Sequence, residues 1–184
     1  FLSVSFTFLT VNKKTNAIIT VDYSVLPGDY DEINAIAKNH QLIVIADASH
    51  SLGATYKNRK VGTLADMTVF SFHPVKTITT GEGGMVVTNS KRFYQQLLLF
   101  RTHGITKNKD RLIGKTQGAW YYEMHELGYN YRLTDIQAAL GTSQVKKIEQ
   151  FVIKRLQIAQ KYRTAFQDME AIGILPIVQD RTSA

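Results

Sequence analysis

The chain has 184 residues, of which 44% are hydrophobic and 20% charged, and it contains no cysteine. This composition fits a soluble globular protein, is compatible with the cytoplasm, and excludes disulfides and thiolate metal sites. The formal net charge of +7 suits an anionic partner. However, the basic residues form no recognition helix or zinc-finger spacing, so we expect no nucleic-acid function. No apolar run is long enough to span a membrane.

The first periodic elements along the chain predict a βαβ unit. Ala17 to Val21 is a short apolar run, typical of a buried strand. Asp29 and Glu32 have the spacing of a helix capping box. The apolar residues that follow fall on one helical face: Ile33, Ile36 and Ala37. Leu42 to Asp47 predicts a second buried strand, parallel to the first. Ligands bind beyond the carboxyl ends of such strands, where Asp47 lies.

One lysine lies between the next two apolar runs. Val69 to Phe72 and Met85 to Thr88 both predict buried strands, and Pro74 ends the first of them. The intervening loop carries Lys76 and three glycines. A loop lysine is ordinarily solvated, but an amine held in a low-dielectric pocket has a lowered pKa and can form a Schiff base. The carboxylate of Asp47 at a neighbouring strand end favours the second interpretation.

Two further segments follow this loop. Lys91 to Arg101 has a helical pattern, with Asn89 or Ser90 as the N-cap. Thr102 to His125 has no clear period and is rich in lysine, glycine and tyrosine. We therefore predict a long loop there, and long loops are usually functional or mobile.

The last third of the chain is predicted to be mainly helical. A helix capped by Thr134 or Asp135 should run to about Gln167, with a break near residues 141–143. Residues 172–178 look extended, although the proline among them argues against a central strand. The five histidines include no pair at metal-ligand spacing on one helix, so we predict no metal site.

Several short motifs occur in a characteristic order. They are Asp47-Ala48-Ser49-His50, Gly53-Ala54, Phe70-Ser71-Phe72-His73-Pro74-Val75-Lys76, Glu82-Gly83-Gly84, Arg101-Thr102-His103-Gly104 and Gly128-Tyr129-Asn130-Tyr131-Arg132. The series resembles the DegT/DnrJ/EryC1/StrS family of sugar aminotransferases, which are fold-type I pyridoxal-phosphate enzymes. The resemblance covers about Ala17 to Ser143. It implies the α/β, three-layer large domain of the aspartate aminotransferase type with a mostly parallel central sheet, present here as a fragment.

The resemblance also implies roles for residues of the first half. Lys76 would bind pyridoxal 5′-phosphate as a Schiff base and move the substrate proton. Asp47 would face the pyridine nitrogen and keep it protonated, which makes the ring an electron sink. Ser71 would donate its hydroxyl to the cofactor phosphate. His50 would contact the cofactor ring or its 3′ oxygen, and its alternative is a packed loop histidine.

Further expectations from the resemblance concern the partner subunit and the substrate. Asn130 would reach the phosphate of the neighbouring subunit's cofactor, which requires a homodimer with shared active sites. Arg132 could meet a carboxylate or diphosphate of the substrate, and a surface ion pair is an equal alternative. The segment around Lys76 looks most like the transaminases that aminate C4 of UDP-4-keto-6-deoxy-N-acetyl sugars on the way to pseudaminic acid, with glutamate as amino donor.

The resemblance divides the chain into three parts. Residues 1–16 match poorly, residues 17–145 form the central part of the cofactor-binding large domain, and residues 146–184 form a helical connection toward a truncated C-terminal small domain. The alternative function is a catalytically inactive fragment of this fold that keeps only packing and dimer contacts.

Overall fold

A four-stranded sheet forms the centre of the computed structural model, which describes residues 10–174 and 177–184. The elements in chain order are β1 (Ala17–Val21), α1 (Tyr30–His40), β2 (Ile43–Asp47), β3 (Thr55–Tyr56), β4 (Arg59–Lys60), β5 (Met67–Ser71), β6 (Gly84–Val87), α2 (Lys91–Arg101), β7 (Ile105–Thr106), β8 (Glu123–Met124), α3 (Asp135–Val145), α4 (Ile148–Phe166) and β9 (Arg181–Thr182). The central sheet has the order β1-β2-β5-β6. Its first two pairings are parallel and the third is antiparallel. The predicted fold class, α/β with a mostly parallel sheet, is confirmed.

One face of this sheet carries the hydrophobic core. Helix α1 packs there against Ile18 of β1 and Val44 of β2 through the three residues predicted to share its apolar face: Ile33, Ile36 and Ala37. Farther along the same face, Ala46 and Phe70 join a second cluster that includes Tyr30 and Ile78. The predicted βαβ unit is therefore present and buried on this side.

The opposite face of the sheet is open in the described part of the chain. Ile19 and Val21 of β1 are 67% and 54% exposed, and Val86 of β6 is also exposed. The prediction of fully buried strands is therefore wrong for β1 and β6. Both are edge strands of the sheet, and β6 also leaves Met85 exposed beside the core face.

The N-terminus of α1 shows why one predicted cap is wrong. The Asp29 side chain makes no capping hydrogen bond. Its Oδ1 instead accepts from a guanidinium nitrogen of Arg181 at 2.8 Å. An ion pair with a residue far along the chain thus replaces the capping box predicted between Asp29 and Glu32.

The later helices begin where their sequences predict. Ser90 caps α2 by accepting from the backbone N–H of Phe93, and Thr134 forms a capping box with Gln137 at the start of α3. The predicted break between the two helices is present, but it lies at residues 146–147 and not near 141–143, because α3 continues to Val145 and α4 begins at Ile148. Gly141 is buried against Thr80, whose methyl group would lie 2.9 Å from an added Cβ. The small size of Gly141 allows this close packing, and the helix continues past it.

The segment from Thr102 to His125 has more structure than a long loop. Strands β7 and β8 pair antiparallel, and Glu123 accepts from the backbone N–H groups of Ile113 and Gly114. The His125 ring also contacts this carboxylate at 2.7 Å. These bonds lower the pKa of Glu123 to about 2, so the carboxylate stays charged at neutral pH.

The C-terminal segment adds a strand that the sequence did not indicate. Residues 172–174 and 177–178 form no strand, and residues 175–176 of the segment predicted to be extended lie outside the described residues. The strand is β9, which pairs antiparallel with β3. Across the described residues, no helix is both long and apolar enough to cross a membrane.

Candidate functional site

Asp47 and Ser71 lie at the carboxyl ends of neighbouring parallel strands. Asp47 of β2 pairs with Val69 of β5, and the N–H of Ala48 donates to the Val69 carbonyl at 2.9 Å. Ser71 is two residues beyond Val69, and side chains alternate along a strand. Asp47 and Ser71 therefore point to the same face at the same edge of the sheet. Ligands of parallel α/β sheets bind at this edge.

Both side chains keep hydrogen-bonding capacity for a ligand. Oδ1 of Asp47 accepts from the backbone N–H of Ser49 at 3.1 Å, whereas Oδ2 has no partner in residues 10–174 and 177–184. The Ser71 hydroxyl accepts from the N–H of His73 at 3.3 Å and retains its own proton. The pair can therefore bind a ligand that offers a donor to the carboxylate and an acceptor to the hydroxyl.

Lys76 lies in the loop that leaves this edge. Its backbone N–H donates to the His73 carbonyl at 3.0 Å, and its carbonyl accepts from the guanidinium of Arg155 on α4 at 3.3 Å. The side chain is half-buried, and its amine makes no ion pair or hydrogen bond within the described ranges. No carboxylate in those ranges therefore holds this amine, which can attack a carbonyl carbon in its deprotonated form.

Two threonines fix the loop after Lys76. The Phe72 carbonyl accepts from both the Thr79 hydroxyl and the Thr80 N–H, each at 3.0 Å. The hydroxyl of Thr80, which is 3% exposed, donates to the Glu82 carbonyl at 2.7 Å. The two ends of the loop are thus tied together, and Lys76 lies between them.

His50 lies on the turn that follows Asp47. It is exposed, and its ring stacks on Tyr23 with centroids 6.0 Å apart and an interplanar angle of 28°. The predicted residues Asp47, His50, Ser71 and Lys76 are therefore carried by the carboxyl ends of β2 and β5 and by the loops that follow them.

Asn130 and Arg132 lie in the segment between β8 and α3. Asn130 forms an isolated antiparallel bridge with Thr102 at the end of α2, and the His103 N–H donates to the Tyr129 carbonyl at 2.8 Å. Both predicted residues are exposed. No hydrogen bond among the described residues joins either side chain to the Asp47–Ser71 edge. Their assignment to the site stays a prediction.

Asp22, which the sequence interpretation missed, is a second carboxylate beside this edge. It follows β1 directly and is wholly buried. It accepts from the Ser51 hydroxyl at 2.7 Å, the Tyr30 hydroxyl at 2.9 Å and the Gly28 N–H at 3.0 Å. Burial raises the pKa of Asp22, and the nearby charge of Asp47 raises it further. The available signal was an aspartate directly after an apolar strand, the same pattern that identified Asp47.

Known proteins resemble the chain over most of its length. The family model described as the DegT/DnrJ/EryC1/StrS aminotransferase family matches residues 8–184. The UDP-4-amino-4,6-dideoxy-N-acetyl-beta-L-altrosamine transaminase of Campylobacter jejuni is 45% identical over 168 residues, which are 91% of this chain and 42% of that protein. The corresponding Helicobacter pylori transaminase is 40% identical over 94% of this chain and 44% of its own length.

Solved structures show the same fold. Helicobacter pylori PseC, described as an aminotransferase involved in the biosynthesis of pseudoaminic acid, has a TM-score of 0.83 and 38% identity over 91% of this chain and 43% of its own. Spr1654 of Streptococcus pneumoniae, assigned as a sugar aminotransferase, has in its PLP form a TM-score of 0.85 and 25% identity over 98% of this chain and 49% of its own. The chain thus spans less than half the length of these relatives.

Removing the Thr80 hydroxyl should loosen the Lys76 loop. Thr80→Val keeps the shape and deletes one partly buried hydrogen bond, which should cost about 1 kcal/mol of unfolding free energy in urea. Amide hydrogen exchange should become faster at Lys76 and Thr80. Thr80→Ser is the matched control, because it retains the hydroxyl and should leave that exchange slow. Equal exchange in the two variants would contradict the role given to the hydroxyl.

Proposed function

We propose, on the premise that this chain belongs to the DegT/DnrJ/EryC1/StrS aminotransferase family, that it forms the central part of the large domain of a pyridoxal-phosphate-dependent nucleotide-sugar aminotransferase. The observation that supports this most is the placement of the donor set, with the carboxylate of Asp47 and the hydroxyl of Ser71 on one face of one sheet edge and Lys76 in the loop that leaves this edge. In this proposal residues 17–145 belong to the large domain, and residues 146–184 lead toward a small domain.

The donor set fits pyridoxal phosphate group by group. The open oxygen of Asp47 suits a protonated pyridine nitrogen, because a carboxylate favours the charged form of its partner. The Ser71 hydroxyl can donate to a phosphate oxygen, and the Lys76 amine would hold the cofactor covalently at its aldehyde carbon. When bound, the cofactor supplies an electron sink for the substrate carbon.

Each side chain would then have a defined task. Asp47 would keep the proton on the ring nitrogen, and Ser71 would fix the position of the phosphate. Nζ of Lys76, once the substrate amine has displaced it, would move the proton at the substrate carbon. His50 would contact the ring, on the turn next to Asp47.

The substrate and partners follow from the relatives and from charge. The similarity to the Campylobacter jejuni enzyme supports a nucleotide-linked 4-keto-6-deoxy sugar aminated at C4, in pseudaminic acid biosynthesis, with glutamate as amino donor. The net charge of +7 and the exposed Arg132 suit a diphosphate. Asn130 would serve the site of a second subunit in a homodimer. The absence of cysteine agrees with a cytoplasmic enzyme.

Reductive labelling should identify Lys76. The chain is incubated with pyridoxal 5′-phosphate, reduced with borohydride, digested and analysed by mass spectrometry. We expect the phosphopyridoxyl group mainly on Lys76, since it lies in the loop that follows Ser71. Lys76→Ala should lose this label, whereas the control Lys91→Ala, at the exposed start of α2, should keep it. Equal labelling of surface lysines in all three proteins would favour the inactive-fragment alternative.

Asp47→Asn should slow catalysis without changing the shape of the site. The test uses a chimera in which this chain replaces the matching segment of the Campylobacter jejuni relative. Loss of the charge weakens protonation of the ring nitrogen, and turnover should fall about 100-fold, equivalent to about 2.7 kcal/mol in the barrier. The control Asp31→Asn removes a surface carboxylate that pairs with Lys57 and should leave turnover unchanged. Normal turnover in Asp47→Asn would make this carboxylate structural.

Mixing two inactive variants should test the shared site. Lys76→Ala and Asn130→Ala chimeras are each expected to be inactive. In a two-fold dimer each site would use Lys76 of one subunit and Asn130 of the other. In a heterodimer, one site therefore carries both substitutions and the other carries neither. Activity should therefore return on mixing. If native mass spectrometry shows heterodimers but no activity appears, Asn130 acts within its own chain.

A further inference from the structure

Ser51 is the central residue of the turn that carries His50. Its backbone N–H donates to the Ala48 carbonyl at 3.1 Å, and its own carbonyl accepts from the Ala54 N–H at 2.9 Å. Its hydroxyl donates to Oδ2 of Asp22 at 2.7 Å, and both residues are wholly buried. A buried hydrogen bond therefore connects the turn after Asp47 to the end of β1.

Asp22 is held in place by more than this bond. Its Oδ1 accepts from the Tyr30 hydroxyl and the Gly28 N–H, and its own backbone N–H donates to the Asp47 carbonyl at 3.0 Å. A buried carboxylate requires such partners, since an unpaired one would lose its hydration without compensation. Asp22 thus has a single position, fixed relative to the backbone of Asp47.

The exposed side chain of Tyr23 contacts the turn that carries His50. Its ring stacks on His50, and it begins a short helical turn in which Ser24 and Val25 have φ values of 52° and 66°. A β-branched residue in the left-handed region is strained and persists only where its surroundings enforce it. Here Asp22, which is held by its hydrogen bonds, directly precedes the strained turn. At the other end of this turn, the Leu26 N–H donates to the Tyr23 carbonyl at 3.4 Å.

We propose that Asp22 is a positioning residue for the cofactor site: through Ser51 it sets the turn from Asp47 to His50, while Tyr23 holds the His50 ring from the other side. Any effect of this positioning on catalysis rests on the proposed function. The positioning itself is independent of that function, because it concerns only contacts within the chain. Asp22 touches neither cofactor nor substrate in this arrangement and acts through the turn.

Ser51→Ala is the variant that tests the proposal. It removes the hydroxyl and leaves Oδ2 of Asp22 without a partner. The matched control is Ser49→Ala, two residues earlier on the same turn, because the Ser49 hydroxyl makes no hydrogen bond in the part of the chain that the structure describes. NMR spectra of histidine-labelled protein report on the His50 ring, with His40 and His125 as internal references, and amide exchange reports on residues 48–54.

The expected result is local. In Ser51→Ala the His50 ring signals should shift, and amides 48–54 should exchange at least tenfold faster, while His40 and His125 keep their signals. Ser49→Ala should change none of these. A lower urea midpoint with unchanged His50 signals would mean that Ser51 serves stability alone, which would overturn the proposal.

A second variant covers the case in which Ser51→Ala does not fold. Ser51→Cys keeps the size of the side chain and replaces a strong donor by a weak one, so it should shift the His50 signals in the same direction by a smaller amount. Failure of both variants to fold would make Ser51 a folding residue and would overturn the positioning role. Shifted His50 signals without labelling of Lys76 would retain the positioning and reject the proposed function.

Discussion

The parallel register between β2 and β5 is the constraint on which the site depends. With Asp47 opposite Val69, the carboxylate and the Ser71 hydroxyl share a face and an edge. A shift of one residue in either strand would turn one of these side chains into the core, because side chains alternate with a period of two. The core face resists such a shift, since Ala46 and Phe70 would have to leave it. Burial on one face of the sheet therefore places the polar groups on the other.

The same alternation explains why two similar aspartates behave differently. Val21 pairs with Asp47 across β1 and β2, so these two residues share a face. Asp22 comes one residue later and turns to the covered face, where it is wholly buried. There it accepts three hydrogen bonds, and its pKa is raised by burial. Asp47 remains half-exposed, with an oxygen free for a ligand. Position relative to the sheet, and not residue type, separates the buried carboxylate from the half-exposed one.

Local patterns in the sequence predicted local structure well. Strands β1 and β2, the apolar face of α1 and the caps at Ser90 and Thr134 depend on residues a few positions apart. The motif from Ser71 to Lys76 likewise marked the loop that the structure places at the sheet edge. These features need only periodicity, a hydroxyl at a helix start or a motif shared with a family.

Several of the features that were missed join distant parts of the chain. Arg181 binds Asp29 across 152 positions and so displaces the predicted cap. Arg155 reaches the Lys76 carbonyl across 79 positions, and Ser51 reaches Asp22 across 29. Spacing along the sequence carries no information about such pairs. A buried carboxylate could be suspected from its place after a strand, but its partners appear only once the turn and the helix pack together.

The open face of the sheet limits what the donor set can do by itself. Asp47 and Ser71 share that face with Ile19 and Val21, which water reaches in the described part of the chain. The attraction between a carboxylate and a pyridinium nitrogen weakens several-fold between a protein interior and water, because the effective dielectric constant rises. Geometry at the edge therefore determines which ligand fits, whereas covering the apolar face determines how strongly it is held.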